Sequence, residues 1–404
     1  MLKSSFIENH YGEMLEIPNS AEDALLSLYS VDKISDISCS LKKSIAEKIK
    51  MFSDFENYKN KHREYTLYYF LVNFYKVWRP LLDLYYSGQI QNSINVLELG
   101  VGPGSTTFGL ISFYKYLAIE NPEQQFSLNL ILIEKEKEFI DIFNSIFNFY
   151  KKDIPKNLQI TYQFKNITID ENFSTTMFDI NFDLILESNM LNENEYISEQ
   201  TVDSLLKELS AKLKKQGSII FIEPADKSLK NYLPQTRKNL TKYCLNIFAP
   251  CNCGTSCNQL CMAKSFIPKS KIIEDLKKNS IIKNIKDFHY FEYIVLRKDG
   301  LLKCILEPNK IQLSQINDHI GEEISFNAFI LFSFKKKDSF RIKVCDCSCK
   351  DKEIWVTIPI SLFYKQKITE LEINRGCVIK ITKAKIVNSS NIDCENNTRI
   401  TIRR

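Results

Sequence analysis

Short apolar runs alternating with amphipathic stretches dominate the middle of the chain. The runs INVLELG, LNLILIE, FDLILES and GSIIFIEP fall between residues 94 and 224, and segments with helical spacing separate them. Continuous apolar runs of this length are typical of strands buried on both faces of a parallel sheet. Strands alternating with helices predict a doubly wound α/β domain. A later pair, FHYFEYIVLRKDG and LLKCILEP, is predicted to close the sheet as an antiparallel hairpin.

Residues 1–90 carry a different pattern, which predicts a helical region. The stretch NYKNKHREYTLYYFLVNFYKVWRPLLDLYYSG has aromatic and leucine residues three to four positions apart and ends at Gly88. That spacing places apolar side chains on one face of a helix. We therefore interpret Trp78 and its aromatic neighbours as core residues.

After about residue 308 the chain changes to short strands. The candidates are ISFNAFILFSF, SFRIKVCDC, EIWVTIPI, CVIKITKAKI and TRITIR, with a helical stretch, YKQKITELEI, between the third and fourth. Five strands with a helix at that place match an OB-type barrel. The predicted organisation is a helical region (1–90), an α/β core (91–307) with a cysteine-rich insertion at 244–266, and a barrel (308–404).

Composition narrows the class of protein only slightly. The 404 residues are 44% hydrophobic and 25% charged, which is ordinary for a globular protein. A net charge of +5 is compatible with a nucleic-acid partner. The first 20 residues lack the apolar run of a signal peptide and contain Glu8, Glu13 and Glu16, which disfavours a transit peptide. No uncharged apolar stretch of about 18 residues is present, so we expect no membrane span.

A glycine-rich loop follows the first predicted strand. In INVLELGVGPGST, Glu98 precedes Gly100, Gly102 and Gly104, and a helix is predicted from Ser105. Glycines allow a tight turn and a close approach of the backbone to a ligand, and the helix N-terminus would face that ligand. The second strand ends in Glu134, where an acid is placed to hold ribose hydroxyls.

The segment ELGVGPGS resembles the first motif of class I S-adenosylmethionine-dependent methyltransferases. ILIEKE resembles their second motif, FDLILESNML resembles the strand-4 motif, and the resemblance covers about residues 90–225. It implies that Glu98 and the three glycines form the cofactor motif, in which the glycines wrap the methionine moiety. It also implies that Glu134 grips the ribose, and that Glu187 and Asn189 lie at the edge of the catalytic pocket.

Strand 4 ends in ESNMLNE, which departs from two known chemistries. Enzymes that methylate exocyclic base nitrogens carry Asn/Asp-Pro-Pro-aromatic at this place. No Pro-Cys nucleophile follows either, so covalent attack on a pyrimidine is not supported. The sequence identifies no general base.

The densest cluster of potential metal ligands is APCNCGTSCNQLCMAKSF, where Cys251, Cys253, Cys257 and Cys261 fall within eleven residues. In a reducing compartment, clustered cysteines favour metal ligation over disulfides. Thiolates select zinc, copper(I) or iron–sulfur clusters. Structural zinc sites usually have a long spacer, whereas compact cysteine runs are more typical of iron–sulfur ligation. We therefore predict an iron–sulfur cluster, with zinc as the alternative.

A longer resemblance links this cluster to its neighbours. GSIIFIEPADKSLKNYLPQTRKNL, then IFAPCNCGTSC, then FEYIVLRKDG is similar to the small-ribosomal-subunit methyltransferase-like family, known from the mitochondrial ribosome assembly factor and bacterial relatives. The family implies a four-cysteine [4Fe–4S] site and association with small-subunit ribosomal RNA. It takes its fourth ligand far downstream, which implies Cys304, whereas spacing alone favours Cys253. The family's Cys-Pro-His and Trp-Cys-His-Phe segments are missing here.

The barrel region supplies weaker candidates. We interpret Cys345, Cys347 and Cys349 as small residues on a barrel face, with Cys377 and Cys394 as possible members of a second metal site. The predicted RNA contacts are Lys335, Lys336, Lys337, Phe340, Arg341, Arg403 and Arg404. A further basic stretch comprises Lys227, Lys230, Arg237, Lys238 and Lys242, whose phosphate contacts would be sensitive to salt.

Together these features predict an S-adenosylmethionine-dependent methyltransferase-like protein with an iron–sulfur cluster that acts on or binds RNA. Small-subunit ribosomal RNA is the expected partner, and the cytoplasm is the expected compartment, with the mitochondrial matrix as the alternative. Two other hypotheses stay open. One is a non-catalytic RNA-binding or ribosome assembly factor, and the other is a zinc-containing methyltransferase of a small molecule or protein.

Overall fold

The structure is a computed structural model. It describes residues 7, 16–28, 62–192, 197–225, 233–238, 240–250, 262–278, 288–304, 306–348, 353–369, 373 and 378–403.

A twisted sheet forms the centre of the molecule. Its strands are β1 (Ser93–Leu99), β2 (Phe126–Ile133), β3 (Leu158–Lys165), β4 (Phe182–Ser188), β5 (Leu213–Pro224), β6 (Asn246–Ala249), β7 (Met262–Phe266) and β8 (Phe288–Arg297). Their order is β3-β2-β1-β4-β5-β8-β6, and β7 pairs with β8. Neighbours from β3 to β5 are parallel, and β8 is antiparallel to β5, β6 and β7. The predicted Rossmann-like core is confirmed.

Helices cover both faces of this sheet. They are α1 (Asn19–Ser27), α2 (His62–Asn73), α3 (Trp78–Tyr86), α4 (Ser105–Glu120), α5 (Lys137–Tyr150), α6 (Glu199–Lys212), α7 (Leu233–Thr236) and α8 (Lys271–Lys278). One buried cluster contains residues of the five helices α1 through α5 and of one face of the sheet. A second cluster contains residues of α6 and of the other face. The N-terminal helices therefore pack into the same core as the sheet.

The described part of the aromatic stretch before β1, from residue 62 onward, is buried as predicted, but turns at residues 74–77 divide it into two helices. Trp78 is 2% exposed, and its Nε1 donates to the Gly109 carbonyl at 2.9 Å. A Cβ at Gly109 would lie 2.1 Å from the Phe74 carbonyl oxygen. Gly109 thus allows α4 to approach the turn between α2 and α3 closely, which explains a glycine inside a helix.

The N-terminal segment is tied to a distant part of the chain. Glu16 bridges Lys269, and the Ile17 N–H donates to the Lys269 carbonyl at 3.2 Å. A carboxylate oxygen of buried Glu22 accepts from the Ser270 hydroxyl at 2.6 Å. The same oxygen accepts from the Ile272 N–H at 3.3 Å. These contacts hold α1 against the start of α8.

The predicted closing hairpin is only half right. FHYFEYIVLRKDG contains β8, but the described residues of LLKCILEP form no strand. The antiparallel partners of β8 are instead β6 and β7, which flank the cysteine-rich segment, together with β5.

The C-terminal region forms a closed barrel with strand order β10-β11-β13-β12-β9. Its elements are β9 (Glu323–Lys335), β10 (Ser339–Cys345), β11 (Ile354–Pro359), α9 (Ile360–Lys365), β12 (Val378–Asn388) and β13 (Asn391–Arg403). The third and fifth barrel strands pair in parallel and the other neighbours are antiparallel. The predicted five-stranded barrel is confirmed, with a fifth strand longer than expected. The helix predicted between the third and fourth strands is present as α9, which begins earlier than expected, directly after Pro359; residues 370–372 of the predicted stretch lie outside the described residues.

The connection between core and barrel is anchored at Lys303. Its ammonium lies 2.6 Å from a carboxylate oxygen of Asp83, and both side chains are almost completely buried. The Tyr293 hydroxyl donates to the other Asp83 oxygen at 2.5 Å. The Lys303 N–H donates to the Phe248 carbonyl at 3.4 Å. The segment that leads into the barrel is therefore fixed against α3, β8 and β6.

Candidate functional site

The glycine loop lies at the carboxyl end of β1, beside the point where the strand order reverses between β1 and β4. Ligands of open α/β sheets bind at such a switch point. Gly100, Gly102 and Gly104 have φ of 64°, 55° and 92°, so each adopts a backbone conformation that favours glycine. Gly104 caps α4, whose N-terminal N–H groups begin at Ser105. The loop therefore has the geometry of a ligand cradle.

Space around the three glycines differs sharply. A Cβ at Gly100 would lie 2.5 Å from Met190 Cγ, and one at Gly104 would lie 2.5 Å from Phe143 Cδ2. At Gly102, no atom of the described residues lies within 4 Å of an ideal Cβ. Gly102 is thus the position of the loop with open space beside it, whereas Gly100 and Gly104 permit internal packing.

Glu134, at the end of β2, reaches back to the loop. One of its carboxylate oxygens accepts from the Gly102 N–H at 2.7 Å, and the other accepts from the Glu136 N–H at 2.8 Å. Burial raises the pKa of Glu134, and these two N–H bonds partly offset that effect. Glu134 therefore fixes the loop, and each oxygen keeps a further lone pair for a hydroxyl donor.

Glu98 lies beneath the loop. It is 2% exposed, and one of its oxygens accepts from the Thr107 hydroxyl of α4 at 2.5 Å. Burial raises the pKa of Glu98 to about 8, and hydrogen bonds from Thr107 only partly offset it. This carboxyl group positions α4 relative to β1 rather than facing open space.

Glu187 is buried at the end of β4. One of its oxygens accepts from the N–H groups of Met190 and Leu191, at 2.7 and 3.2 Å. The Leu191 N–H also lies 3.2 Å from an oxygen of Glu223. Burial raises the pKa of Glu187 to about 7, and hydrogen bonds, with the neighbouring Glu223 first among their partners, only partly offset that effect. Glu187 thus shapes the loop after β4.

That loop packs onto the glycine loop. Asn189 has a φ of 60°, and its N–H donates to the Ile222 carbonyl at 2.8 Å. The turn places Met190 against Gly100. The structure therefore brings together the residues that the sequence assigned to the cofactor motif and the pocket edge, although Glu187 itself is occupied by backbone N–H groups.

Aromatic residues of α2 lie beside the start of α5, close to Glu134 in sequence. His62 pairs with Glu138, and its ring lies 4.6 Å from that of Phe139, centroid to centroid. The Tyr65 ring lies 5.6 Å from the Phe139 ring in the same measure. The sequence pattern identified this stripe only as core. In the structure it also packs against the start of α5, the helix that follows Glu134 in the chain.

The proposed cluster ligands Cys251, Cys253, Cys257 and Cys261 lie outside the described residues, as do Cys349 and Cys377. Among the residues that the structure describes, no group of three or more His, Cys, Asp and Glu is arranged to hold a metal ion. Cys304 is half-buried and packs against the barrel core. Cys345 and Cys394 are buried in that core, and Cys347 follows the end of β10 with a φ of 69°.

The predicted RNA contacts meet different outcomes. Phe340 was wrongly assigned to the surface: it is 3% exposed and stacks on Phe363, because it alternates with outward-facing Arg341 along β10. Arg237 is also buried rather than exposed. Lys242 pairs with Asp203 at the surface, Lys238 pairs with Glu199, and Arg403 pairs with Glu307. The remaining residues of these sets are exposed lysines or lie outside the described part of the chain; the latter are Lys227, Lys230 and Arg404.

No family model matches the chain, and no curated protein matches it. Among solved structures, an S-adenosylmethionine-dependent methyltransferase from Methanosarcina mazei is 12% identical, covers 54% of this chain and 97% of its own, and has a TM-score of 0.34. One from Clostridium acetobutylicum is 14% identical, with 60% and 99% covered and a TM-score of 0.30. Coclaurine N-methyltransferase, bound to N-methylheliamine and SAH, is 11% identical, with 72% and 98% covered and a TM-score of 0.30. Similarity at this level does not establish a function.

None of the helices in the described ranges is long and apolar enough to cross a membrane.

Proposed function

We propose that this chain binds S-adenosylmethionine at the glycine loop and transfers its methyl group to RNA. One observation carries the cofactor part of the proposal. At the switch point of the sheet, a loop of three positive-φ glycines leaves open space beside Gly102, and Glu134 at the end of the neighbouring strand grips that loop. This is the geometry in which a backbone approaches a nucleoside ligand closely.

The residues present fit this cofactor, which would supply a methyl group activated on a sulfonium. Glu134 would accept the ribose hydroxyls with its remaining lone pairs. The loop backbone and the start of α4 would line the methionine moiety. Tyr65 and Phe139 would cover the adenosine side and exclude water. The contribution of the chain to the reaction is then positioning of donor and acceptor for direct in-line transfer.

Calorimetric titration with S-adenosylmethionine tests this site. Gly102→Ala adds a methyl group in the open space of the loop, and we expect binding at least about 10-fold weaker. Gly300→Ala is the matched control, because Gly300 also has a positive φ (71°) and open surroundings but lies in the turn after β8. Equal affinities of the two variants, or no binding by the wild-type chain, would contradict the proposal.

The iron–sulfur cluster belongs to the same proposal. The Lys303 N–H contact with Phe248 brings the residue before Cys304 next to β6, whose chain continues through Ala249 and Pro250 to Cys251. This contact supports Cys304 as the fourth ligand, with Cys253 as the alternative. Anaerobically purified protein should absorb near about 400 nm. Cys304→Ser should abolish that absorbance and Cys253→Ser should preserve it. A colourless protein with one stoichiometric zinc would support the alternative metal.

A non-catalytic RNA-binding factor is the second candidate. The observation that favours it is the occupation of Glu187 by two backbone N–H groups, which removes a polar side chain from the edge of the pocket. Incubation with radiolabelled S-adenosylmethionine and small-subunit ribosomal RNA separates the two functions. Label in the RNA supports transfer, whereas cofactor and RNA binding without label supports the second candidate.

A further inference from the structure

A row of aromatic rings crosses the outer face of the barrel. Phe332 and Phe334 lie on β9 and Trp355 lies on β11. The ring centroids of Phe332 and Phe334 are 5.8 Å apart, and those of Phe334 and Trp355 are 5.6 Å apart. Ile354 and Val356, which flank Trp355, are buried in the barrel core. Because side chains alternate along a strand, Trp355 points outward, and all three rings are half-buried.

Positive charge surrounds these rings. Arg341 lies opposite Phe334 in the β9–β10 register, and its guanidinium is 5.2 Å from the Trp355 ring centroid. Lys336 and Lys337 follow β9 in an exposed turn, and the Lys336 ammonium lies 6.0 Å from the Phe334 ring centroid. Two acids lie near these residues: Asp338 follows the turn, and Glu353, two residues before Trp355, pairs with Lys343. The face thus combines aromatic rings with a net excess of cations.

This face adjoins the cofactor edge of the core. Tyr290, near the beginning of β8, contacts Phe332 with ring centroids 5.1 Å apart. Since β8 is antiparallel to β5, it begins at the edge where the parallel strands end. The glycine loop lies at that same edge, after Leu99. The aromatic row therefore starts at the side of the sheet that carries the proposed cofactor site.

We infer that Phe332, Phe334, Trp355 and Arg341 form a binding surface for single-stranded nucleic acid. Unpaired bases stack on aromatic rings, and cations neutralise the phosphates between them. OB barrels use this kind of strand face for oligonucleotides. A paired base in a duplex cannot stack on such rings. An acidic peptide would bind through the cations alone and would make no use of the aromatic rings. The binding of a single strand to this face is independent of the proposed function. Delivery of that strand to the methyl donor rests on the proposed function.

Intrinsic fluorescence gives a direct assay, because the chain contains two tryptophans. In full-length Trp78→Phe, Trp355 is the only tryptophan, and stacking of a base should quench it. The probes are a 12-nucleotide RNA, the DNA of the same sequence and the corresponding duplex. Neutralisation by about three cations (Arg341, Lys336 and Lys337) predicts a slope of log affinity against log salt of about −2 for single strands. Quenching by either single strand supports the surface, and preference for the RNA identifies the 2′-hydroxyl as a contact. Binding of the duplex alone, or of no probe, overturns the inference.

Paired substitutions test the rings themselves. Phe334→Leu keeps an apolar side chain but removes the stacking surface, and affinity should fall about 10-fold. Tyr364→Leu is the matched control, because this ring is 61% exposed on α9, outside the strand face. Equal losses in both variants, or no loss in Phe334→Leu, would overturn the inference. So would displacement of the RNA by polyglutamate of equal charge with the same quenching.

Calorimetry with S-adenosylmethionine on the same variants separates the two proposals. Loss of RNA binding with unchanged cofactor affinity in Phe334→Leu supports the surface and leaves the cofactor site standing. Absent cofactor binding with intact, ring-dependent RNA binding refutes the proposed enzyme and leaves the surface standing.

Discussion

Glu98→Gln should change how the stability of the core depends on pH. Burial raises the pKa of Glu98 to about 8 in the folded chain, against its ordinary value of 4.5. An acid with a raised folded pKa contributes stability below its unfolded pKa and loses it as pH rises through the folded value. The wild-type core should therefore lose stability between about pH 4.5 and pH 8, and glutamine cannot ionise.

The expected size follows from this shift. Each pH unit between the two pKa values changes the free energy of unfolding by about 1.4 kcal/mol. Between pH 6 and pH 9, the difference between Glu98→Gln and wild type should move by about 3 kcal/mol in favour of the variant, and it should level off above pH 9. The amide NH₂ of glutamine lacks the hydrogen-bond partner that the carboxyl oxygen had. This lowers the stability of the variant by about 1–3 kcal/mol at every pH, but it leaves the pH dependence of the difference unchanged.

Urea unfolding followed by tryptophan fluorescence measures this difference in the core alone. In a Trp355→Phe background, Trp78 is the only tryptophan, and its indole is buried against Gly109. Glu123→Gln, at an exposed turn, controls for the loss of one carboxyl group. A difference that stays constant from pH 6 to pH 9 would show that Glu98 ionises normally inside the fold and would refute the reasoning.

Three further predictions concern packing and accessibility. Gly109→Ala should cost about 3 kcal/mol or more of unfolding free energy, because its Cβ would overlap a backbone carbonyl; unchanged urea unfolding would contradict this. Asp83→Asn should cost about 3–5 kcal/mol by leaving the Lys303 ammonium buried without its partner, and adding Lys303→Met should recover part of the loss. Burial alone would raise the pKa of Asp83, but Lys303, Arg79 and the Tyr293 hydroxyl together more than offset it and the pKa is lowered. The wild-type advantage over Asp83→Asn should therefore shrink as pH falls. Mass spectrometry after iodoacetamide treatment of native protein should find exposed Cys244 modified and buried Cys394 protected. Cys394 is protected because burial raises the pKa of its thiol to about 12; equal labelling of the two cysteines would contradict this.

The sequence predicted the elements whose pattern is local. In runs such as FDLILES and in alternating stretches such as EIWVTIPI, the spacing of the apolar residues alone indicates which side chains are buried. The parallel strands and the barrel strands were therefore identifiable. The glycine loop was identifiable because positive φ at Gly100, Gly102 and Gly104 restricts residue choice directly.

Features that depend on distant partners were missed. Strands β6 and β7 are short and flank the cysteine-rich segment, and only pairing with β8 makes them strands. The sequence alone allows Phe340 to lie on the surface. The pairing of β10 with β9 and β11 determines which of its sides faces inward. The sequence alone places Glu187 at the pocket edge. In the structure, the loop after β4 turns back, and its Met190 N–H donates to this carboxyl group. In each case tertiary context decided the role.

The tether between α1 and α8 has a consequence for synthesis of the chain. The hydrogen bonds of Glu22 with Ser270 and Ile272 join residues 248 and 250 positions apart. At about 5–20 residues per second, translation leaves roughly 10–50 s between the appearance of Glu22 and that of its partners. During that time the apolar side of α1, including Ala21 and Leu25, cannot complete its native packing. The α1 segment can pack on α5 early in synthesis, but it completes its native contacts only once the start of α8 has been made.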